Sequence, residues 1–456
     1  MPFARTRLVL GLALAFGAAL PASAQSLQEL YDAARGYDAA FLSARALYDS
    51  AQYRVEQVKA LRRPQVGLQV SATRSTSDTP YTSPLNADQT SAGAGVNATH
   101  TLFNRANDAT IAQAEKSLDV ARADFDAAEQ DLIVRLSQAY FDVLAAQDAL
   151  ATTRTSKTAI SEQLASAKRN FEVGTATITD TREAQARFDL ATAQEIAADN
   201  DLRTKRIALD QLVGRSGVAP KGLLAPVVLP RVEPVDAETW VTQADGEHPT
   251  IRKARLGLEV AQLETQKARA GNLPTVAVSA GYNKARVSQS GEAAVTNPLN
   301  GATSIQSFDR SGTSTGSSIG ITLNLPLFAG YAIQNRIKET LVLEEKSRND
   351  LEAARRGVAQ GTRQAFYGVQ SGEAQVKALE AAEASSQLAL EATRLGYRVG
   401  VRVNLDVLNA QTQLYTTQQQ LAKARYDVLV GNLRLRQAAG QLKPTDVAAV
   451  NALLAK

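Results

Sequence analysis

The chain has 456 residues, with 50 Lys and Arg against 46 Asp and Glu, and it contains no cysteine. Charges of both signs are mixed along the chain without a basic tract, which argues against nucleic-acid binding. The missing cysteines exclude disulfides and a lipid-modified cysteine, so stability has to come from packing or assembly.

The first 24 residues are typical of a secretory signal peptide. Arg5 and Arg7 precede an apolar run of 13 residues, 8–20, and small residues at 22–24 precede a predicted cleavage before Gln25. The apolar run is shorter than the ~20 residues that a spanning helix needs. We therefore expect an exported protein whose mature chain begins at residue 25.

Four short segments alternate apolar and polar residues with the period of a β-strand. We predict strands at about 64–73, 93–102, 274–284 and 317–327. The Ser-, Thr- and Gly-rich residues 75–92 and 285–316 between them are interpreted as loops. Strands of this kind suit the wall of an outer-membrane barrel, although a soluble sheet with one wet face has the same pattern. Four strands cannot close a barrel, since about eight are the minimum, so two or three copies are required.

Long helices are predicted where proline is absent. All 14 prolines avoid residues 85–219 and 327–443, and proline inside a helix costs about 3 kcal/mol. Helices are expected from about 104 to 170 and from about 329 to 395, each ~100 Å long. The helix that follows the second of these repeats apolar pairs every seven residues, as a coiled-coil seam does: Val407/Leu408, Leu414/Tyr415, Leu421/Ala422 and Val428/Leu429.

The two halves of the chain repeat one another. Residues 169–214 and 395–440 align without a gap, with eleven of 46 positions identical, including a Val-Gly pair and an Asp six residues after it. Each copy lies between helical stretches, which predicts two helical hairpins with tips at about 171–180 and 397–406. The predicted organisation is a first repeat at 25–214, a linker or small mixed subdomain at 215–249, a second repeat at 250–440, and a tail at 441–456.

The sequence offers no reaction chemistry. The two histidines, His100 and His248, have no metal-binding spacing, and there is no nucleophile or phosphate-binding motif. We expect no catalytic residue, no metal and no cofactor, and therefore no enzyme.

Charged residues at the tips are the candidate functional residues. Asp180 and Asp406 each begin a helix, where a carboxylate caps the backbone or meets the helix dipole. Arg402 lies in the second turn, whereas Ala176 stands at the same place in the first. This asymmetry suggests that one tip pairs with the other.

The chain resembles the TolC family of outer-membrane export ducts. The resemblance covers nearly the whole mature chain and is carried by GYRVGVRVNLDVLNAQTQLYTTQQQLAKARYDVL at 396–429 and by FEVGTATITDTREAQARFDLATAQ at 171–194. It implies a mainly α fold with a β-barrel portion. A homotrimer would form a twelve-stranded barrel in the outer membrane and a helical tunnel across the periplasm. The implied partners are outer-membrane lipid, a periplasmic adaptor, and an inner-membrane pump or ABC secretion transporter, with no nucleic acid.

The resemblance also implies roles for individual residues. An acid–arginine link that closes the tunnel falls on Asp180 and Arg402. A second link falls on Tyr397, with Arg169 in place of the family's glutamine. Of two acidic constriction positions, one is Asp406 and the other is the neutral Asn409, so a weaker block by cations is expected.

The residues implied to contact the adaptor lie in the turns themselves: Val173, Gly174, Val399 and Gly400. Two other functions remain as alternatives, a periplasmic adaptor and a coiled-coil scaffold of an envelope transport complex. An adaptor would have one hairpin between β-rich halves, which differs from the two hairpins predicted here. A coiled-coil scaffold would not account for the four predicted strands.

Overall fold

The computed structural model describes residues 25–79, 84, 86–224, 226–227, 229–298 and 301–455. The predicted signal peptide, 1–24, lies outside them. Nine α-helices, one short 3-10 helix and four β-strands make up the regular structure of this part of the chain. No helix among the described residues is long and apolar enough to cross a membrane.

The four strands form one antiparallel sheet in chain order: β1 Gln65–Asp78, β2 Asn86–Phe103, β3 Thr275–Thr296 and β4 Thr303–Asn324. At 14 to 22 residues they are longer than expected, and the interpretation of 75–92 and 285–316 as loops is wrong. The ladder continues through these polar stretches because backbone groups pair whether or not the side chains are apolar. Gly291 fits this pairing closely, since a Cβ there would collide with the Asn86 carbonyl oxygen.

The register places the apolar residues of all four strands on one face of the sheet. Val66 lies opposite Ala98, Ala98 opposite Ala280, and Ala280 opposite Ile319. The opposite face is rich in Gly, Ser, Thr, Asn and Gln. The apolar side chains remain largely exposed in the single chain, for example Ile319 at 83% and Val70 at 72%. We call this side of the sheet the apolar face.

The helices, in chain order, are α1 Leu27–Arg35, α2 Ala39–Lys59, α3 Arg105–Glu172, α4 Ile178–Val213, α5 Ala237–Glu247, α6 Pro249–Ala270, α7 Ala332–Arg398, α8 Asn404–Ala438 and α9 Pro444–Asn451. The longest, α3 and α7, have 68 and 67 residues. They fill the two proline-free stretches to within a few residues of the predicted ends, because nothing inside either stretch removes a helical hydrogen bond.

The chain forms two compact units. The helical unit contains the described residues up to Ser43, together with Ala128–His248 and Val358 onward, and the sheet unit contains Ala44–Ala127 and Pro249–Gly357. These units do not follow the two sequence repeats, since each unit takes residues from both halves. The long helices α3 and α7 contribute residues to both units.

In the sheet unit, α6 is bound to α3 and α7 through Glu264. Its carboxylate accepts hydrogen bonds from Gln113 Nε2 at 2.9 Å and from Arg336 Nη2 at 2.7 Å. Burial alone would raise the pKa of Glu264, but these hydrogen bonds outweigh it, so the pKa lies below its usual value. The acid therefore remains a charged acceptor that joins three helices.

In the helical unit, α8 contributes buried apolar residues along nearly its whole length. Its buried apolar residues recur every seven positions, which confirms the predicted seam: Val407, Leu414, Leu421, Val428 and Leu435. Val407 and Leu414 pack with Leu390 of α7, whereas Leu408 packs with Ile160 and Ala184 of the first hairpin. α8 therefore packs against both its own hairpin partner and the other hairpin of the same chain.

The segment 215–249, predicted as a linker or small mixed subdomain, packs against the long helices of the helical unit. It contains α5, whose Trp240 is buried with Phe366 and Val369, and an isolated bridge pairs Leu223 with Leu454 of the C-terminal tail. The Tyr140 hydroxyl donates to the carbonyl oxygens of Gln25 and Lys221. The N-terminal, linker and C-terminal segments are thereby joined beside the helices.

Candidate functional site at the two helical turns

The first turn, residues 173–177, joins α3 to α4 by a compact set of backbone hydrogen bonds. The Val173 amide donates to the Arg169 carbonyl, and the amides of Thr175 and Ala176 both donate to the Asn170 carbonyl. Gly174 has a φ of 77°, in the left-handed region that favours glycine. The glycine allows the chain to reverse without strain directly after α3.

The second turn, residues 399–403, joins α7 to α8 with the same bonds shifted by the repeat. Val399 donates to the Leu395 carbonyl, and Val401 and Arg402 both donate to the Gly396 carbonyl. Gly400 has a φ of 82°. The two turns therefore share one backbone geometry, and the functional differences between them have to come from their side chains.

Asp180 caps the helix that follows the first turn. Its carboxylate accepts from the Thr177 amide at 2.9 Å and from the Thr177 hydroxyl at 2.8 Å, and the Asp180 amide donates back to that hydroxyl. This reciprocal arrangement is a capping box, which satisfies amides that a helix start would otherwise leave unpaired. The cap fixes the carboxylate at the beginning of α4.

Asp406 occupies the same place in the second turn but is held differently. Val403 stands where Thr177 does, so no hydroxyl is available, and the Val403 amide lies 3.4 Å from the carboxylate. Arg402 Nη1 lies 3.6 Å from Asp406 Oδ2, and the Arg402 side chain is 61% exposed. Such an exposed pair contributes about 0–1 kcal/mol. Arg402 is therefore free to exchange partners at little cost.

The structure of the single chain does not bring Asp180 and Arg402 together. Each has a partner within its own turn or helix, Thr177 for the acid and Asp406 for the arginine.

Tyr397 is held from α3, but by Asn170 rather than Arg169. The Asn170 amide Nδ2 donates to the Tyr397 hydroxyl at 3.2 Å. Arg169 is exposed one residue earlier. Arg169, the residue at the predicted position, therefore does not bind Tyr397 within the chain. Successive residues of a helix point about 100° apart, and Asn170 is the one that points towards Tyr397.

Asn409 is paired with a cation. Arg187 Nη2 of α4 donates to Asn409 Oδ1 of α8 at 2.8 Å. Sequence reasoning identified Asn409 only as a missing acid and did not identify Arg187. At position 409 the chain therefore lacks the family's negative charge and also has the positive charge of Arg187 beside it.

Buried polar residues on α8 are a second feature that the sequence reasoning missed. Asn404 and Gln411 are 3% and 2% exposed, and Asn404 accepts a hydrogen bond from Gln163 of α3. The signal was available, since Asn404, Gln411 and Gln418 recur every seven residues beside the apolar seam. Buried amides of this kind fix the register between helices.

Further from the turns, Glu195 of α4 links that helix to α3 by hydrogen bonds. Its carboxylate accepts from Lys157 Nζ at 2.9 Å and from Arg154 Nε at 3.1 Å. Hydrogen bonds from Lys157 and Arg154 lower the pKa of Glu195 below its usual value. No group of His, Asp and Glu residues suited to a metal ion occurs in the part of the chain that the structure describes.

Comparison with known proteins assigns the family. Residues 30–215 and 240–441 match the family model described as Outer membrane efflux protein. The chain belongs to this family. The match covers both hairpins and both pairs of strands, which decides for the duct over the adaptor and scaffold alternatives.

Individual members of the outer membrane efflux protein family resemble the chain over most of its length. Outer membrane protein TolC of Vibrio cholerae is 32% identical over 429 residues, which cover 94% of this chain and 94% of that protein. Alkaline protease secretion protein AprF of Pseudomonas aeruginosa is 34% identical over 332 residues, 72% of this chain and 65% of AprF.

Solved structures share the fold at lower identity. The outer membrane protein VceC of Vibrio cholerae has a TM-score of 0.72 at 20% identity and covers 91% of this chain and 96% of its own. The outer-membrane channel OprN has a TM-score of 0.74 at 18% identity, with 91% and 90% covered. The family match and the relatives over most of the chain make it an outer-membrane exit duct for efflux or type I secretion, with its helical tunnel in the periplasm.

Proposed function

We propose that three copies of the chain assemble into one duct. Within the described sheet, β1 and β4 pair on one side only. Unpaired backbone groups are too costly to leave in lipid, so each open edge needs a strand from another copy. Because the strands alternate in direction, β4 of one copy meets β1 of the next in antiparallel fashion, and three copies give twelve strands.

Exposed apolar residues on the helices support assembly. Ile196 and Ile207 of α4 are 67% and 66% exposed, and Leu388 of α7 is 66% exposed. Large apolar side chains at several positions of long helices are typical of surfaces that a partner covers. Neighbouring copies would cover them and close a helical tunnel.

The proposed gate of this tunnel is a ring of contacts between turns of neighbouring copies. Its basis is that two turns with one backbone geometry carry unlike charges, with Arg402 exposed and weakly paired. In the closed trimer Arg402 would leave Asp406 and bind Asp180 of the next copy. Tyr397 would add a second link, with Asn170 within the chain and Arg169 available to a neighbour.

The proposed constriction is lined by Asp406, with Asn409 beside it. Three ion pairs of about 0–1 kcal/mol each hold such a gate closed without locking it. A partner that binds the open turns better would then shift the equilibrium towards opening. The weakness of each link is therefore what makes the gate responsive.

The proposed partner at the turns is a periplasmic adaptor. Val173 and Val399 are 73% and 65% exposed at equivalent places, next to Gly174 and Gly400. Two equivalent apolar contact points per chain suit a partner that binds both turns alike. An inner-membrane pump or ABC secretion transporter would supply the energy, and the cargo would be small molecules, proteins or both.

Removing the gate link tests the proposal. Asp180→Ala with Arg402→Ser should raise the single-channel conductance in planar bilayers several-fold, because the closed ring loses its ion pairs. The matched control, Glu172→Ala with Arg398→Ser, removes one acid and one arginine from the last residues of α3 and α7 and should leave conductance near the wild-type value. Equal conductance for the gate variant and the wild type would rule out this pairing.

A further inference from the structure

The apolar face of the sheet ends at a set of basic residues. Along β3 it carries Val276, Val278, Ala280 and Tyr282, and the next two residues on the same face are Lys284 and Arg286. The neighbouring positions on β4 at this height are threonines. The face therefore changes from apolar to basic between Tyr282 and Lys284, which are consecutive residues on this side of β3.

The position of this change matches the edge of a bilayer. From Leu325, the residue directly after β4, to the row of Lys284 is ten residues, ~34 Å for an extended chain and ~26 Å along the normal for a strand tilted by about 40°. Outward apolar bands of outer-membrane barrels are about 25 Å tall. Tyr282, 56% exposed, lies just before Lys284, where an interfacial aromatic is expected.

The basic residues lie at the external side of the membrane. The other ends of the strands connect to α3 and α7, which continue into the periplasmic tunnel, so the hairpin connections face outward. Lys284 and Arg286 lie between the apolar rows and these connections. They are therefore at the level of the headgroups of the outer leaflet.

Arg74 of β1 completes a shallow cradle. Arg286 lies opposite Ala92, which lies opposite Ala72, and Lys284 lies opposite Ala94. Arg74 is one row further out on β1, ~12 Å from Arg286 between Cα atoms. Small alanines thus form a floor between basic side chains on either side, wide enough for a phosphorylated sugar headgroup.

The surrounding charges favour an anionic ligand at this height. Among the described residues no carboxylate is bonded to Lys284 or Arg286. Arg74 lies 3.5 Å from Asp88, an exposed pair that contributes little. Three other acids on this face lie further out than Arg74, Asp309 by one row and Glu292 and Asp78 by two. The rows of Lys284 and Arg286 therefore contain basic residues and no acid.

We propose that Lys284, Arg286 and Arg74 form a binding site for the phosphate groups of glycolipids in the outer leaflet. The acyl chains would lie along Val70, Val96 and Tyr282, while the phosphates bind the basic side chains. Basic residues at an anionic membrane surface each increase affinity about fivefold. The site rests on the apolar face being turned to lipid, as in the proposed trimer.

The test uses the purified full-length oligomer in detergent and native mass spectrometry. It is titrated with diphosphorylated lipid A, with enzymatically dephosphorylated lipid A, and with inorganic phosphate. The wild type should bind the phosphorylated lipid at least tenfold more tightly than the dephosphorylated one. Lys284→Gln with Arg286→Gln should weaken binding roughly 25-fold, since two basic residues are lost.

Two further variants make the result specific. Arg310→Gln removes an exposed basic residue from the opposite face of the sheet and should change lipid binding less than twofold. Lys284→Arg with Arg286→Lys keeps both charges and should retain binding. Equal affinity of the wild type for both lipids, unchanged binding by the double glutamine variant, or equally tight binding of inorganic phosphate would each overturn the proposal. Conductance and oligomer size, measured on the same samples, separate such an outcome from a failure of the duct itself.

Discussion

Single side chains differentiate the two turns, whose backbones are alike. In the first, Thr177 holds the Asp180 carboxylate by its amide and its hydroxyl. In the second, Val403 has no hydroxyl, and Asp406 meets Arg402 instead. One acid is therefore held by two hydrogen bonds within its own turn, and the other is weakly paired with an exposed arginine. This is a suitable arrangement for a contact that forms in one state and breaks in another.

Selectivity should depend on Arg187 as much as on Asn409. An aspartate at 409 would pair with Arg187, which already donates to that side chain at 2.8 Å, so much of its charge would be neutralised. Asn409→Asp should therefore raise the cation-to-anion permeability ratio less than twofold. Asn409→Asp with Arg187→Gln should raise it several-fold, as measured by reversal potentials in a salt gradient. An equal increase in both variants would contradict the role of Arg187.

Acid sensitivity should arise partly at Asp38, which is buried and accepts from Arg135 at 3.0 and 3.2 Å. The hydrogen bonds from Arg135 outweigh burial and lower the pKa of Asp38. Its contribution to stability is thus complete above the unfolded value of about 4 and is lost as pH falls through the lower folded value. Asp38→Asn should cost about 1–2 kcal/mol at neutral pH, because Arg135 is partly exposed, and should weaken the acid dependence.

The measurement is the thermal dissociation midpoint of the purified protein between pH 3 and pH 7. Asp32→Asn changes an exposed acid of the preceding helix and serves as the control, with a midpoint close to wild type throughout. A wild-type acid dependence in the Asp38→Asn variant would show that the acid sensitivity arises elsewhere.

At the scale of elements, the long helices are kept in register by polar contacts as well as by the apolar seam. Tyr426 of α8 donates to Asp148 of α3 at 2.6 Å, and Gln419 Nε2 donates to Thr153 Oγ1 at 3.0 Å. An apolar stripe repeating every seven residues could slide by one repeat without losing burial. Specific donors and acceptors remove this ambiguity, because a shifted helix would leave them unpaired.

The Tyr426 contact should be measurable on its own. Burial, together with the hydrogen bond to Asp148, raises the pKa of Tyr426, so the hydroxyl remains a donor at all physiological pH values. Tyr426→Phe should lower the free energy of unfolding by about 1–2 kcal/mol, since a half-buried carboxylate loses its partner. Tyr367→Phe, at a side chain 57% exposed, is the matched control and should have little effect. Equal thermal midpoints for the two variants would mean that the contact adds nothing to stability.

For the whole molecule, the sheet sets the requirement for assembly. Among the described residues its two edge strands, β1 and β4, are paired on one side only, and its apolar face exposes Val66, Leu68 and Ile321 at 71 to 72%. In water, a single chain would leave its apolar face exposed to solvent. In lipid, it would leave the backbone groups of both edge strands without hydrogen-bond partners. Closure with other copies, as in the proposed trimer, would remove both edges at once and leave the apolar face in contact with lipid.

Three copies per particle is the expected number. Light scattering of the detergent-solubilised protein, corrected for bound detergent, should give three times the chain mass. The oligomer should also migrate intact on gels until it is boiled, because every edge strand is paired. A mass of two chains would support an eight-stranded barrel, and a monomer would contradict closure by assembly.

Much of the architecture was predictable because it depends on local and periodic features. The proline-free stretches determine where helices of nearly 70 residues can run, the strand period determines which residues share the apolar face, and the repeat places a glycine with positive φ in each turn. These properties depend on backbone sterics and on the spacing of apolar side chains, and both can be read along a chain.

Only the tertiary structure decided which residues meet. The Ser- and Thr-rich ends of the strands look like loops, because side-chain polarity gives no information about backbone pairing. Asn170 rather than Arg169 meets Tyr397, and Arg187 meets Asn409, because these contacts depend on how far each helix is rotated and shifted against the next. Rotation and shift come from packing across hundreds of residues, and no local pattern in the sequence specifies them.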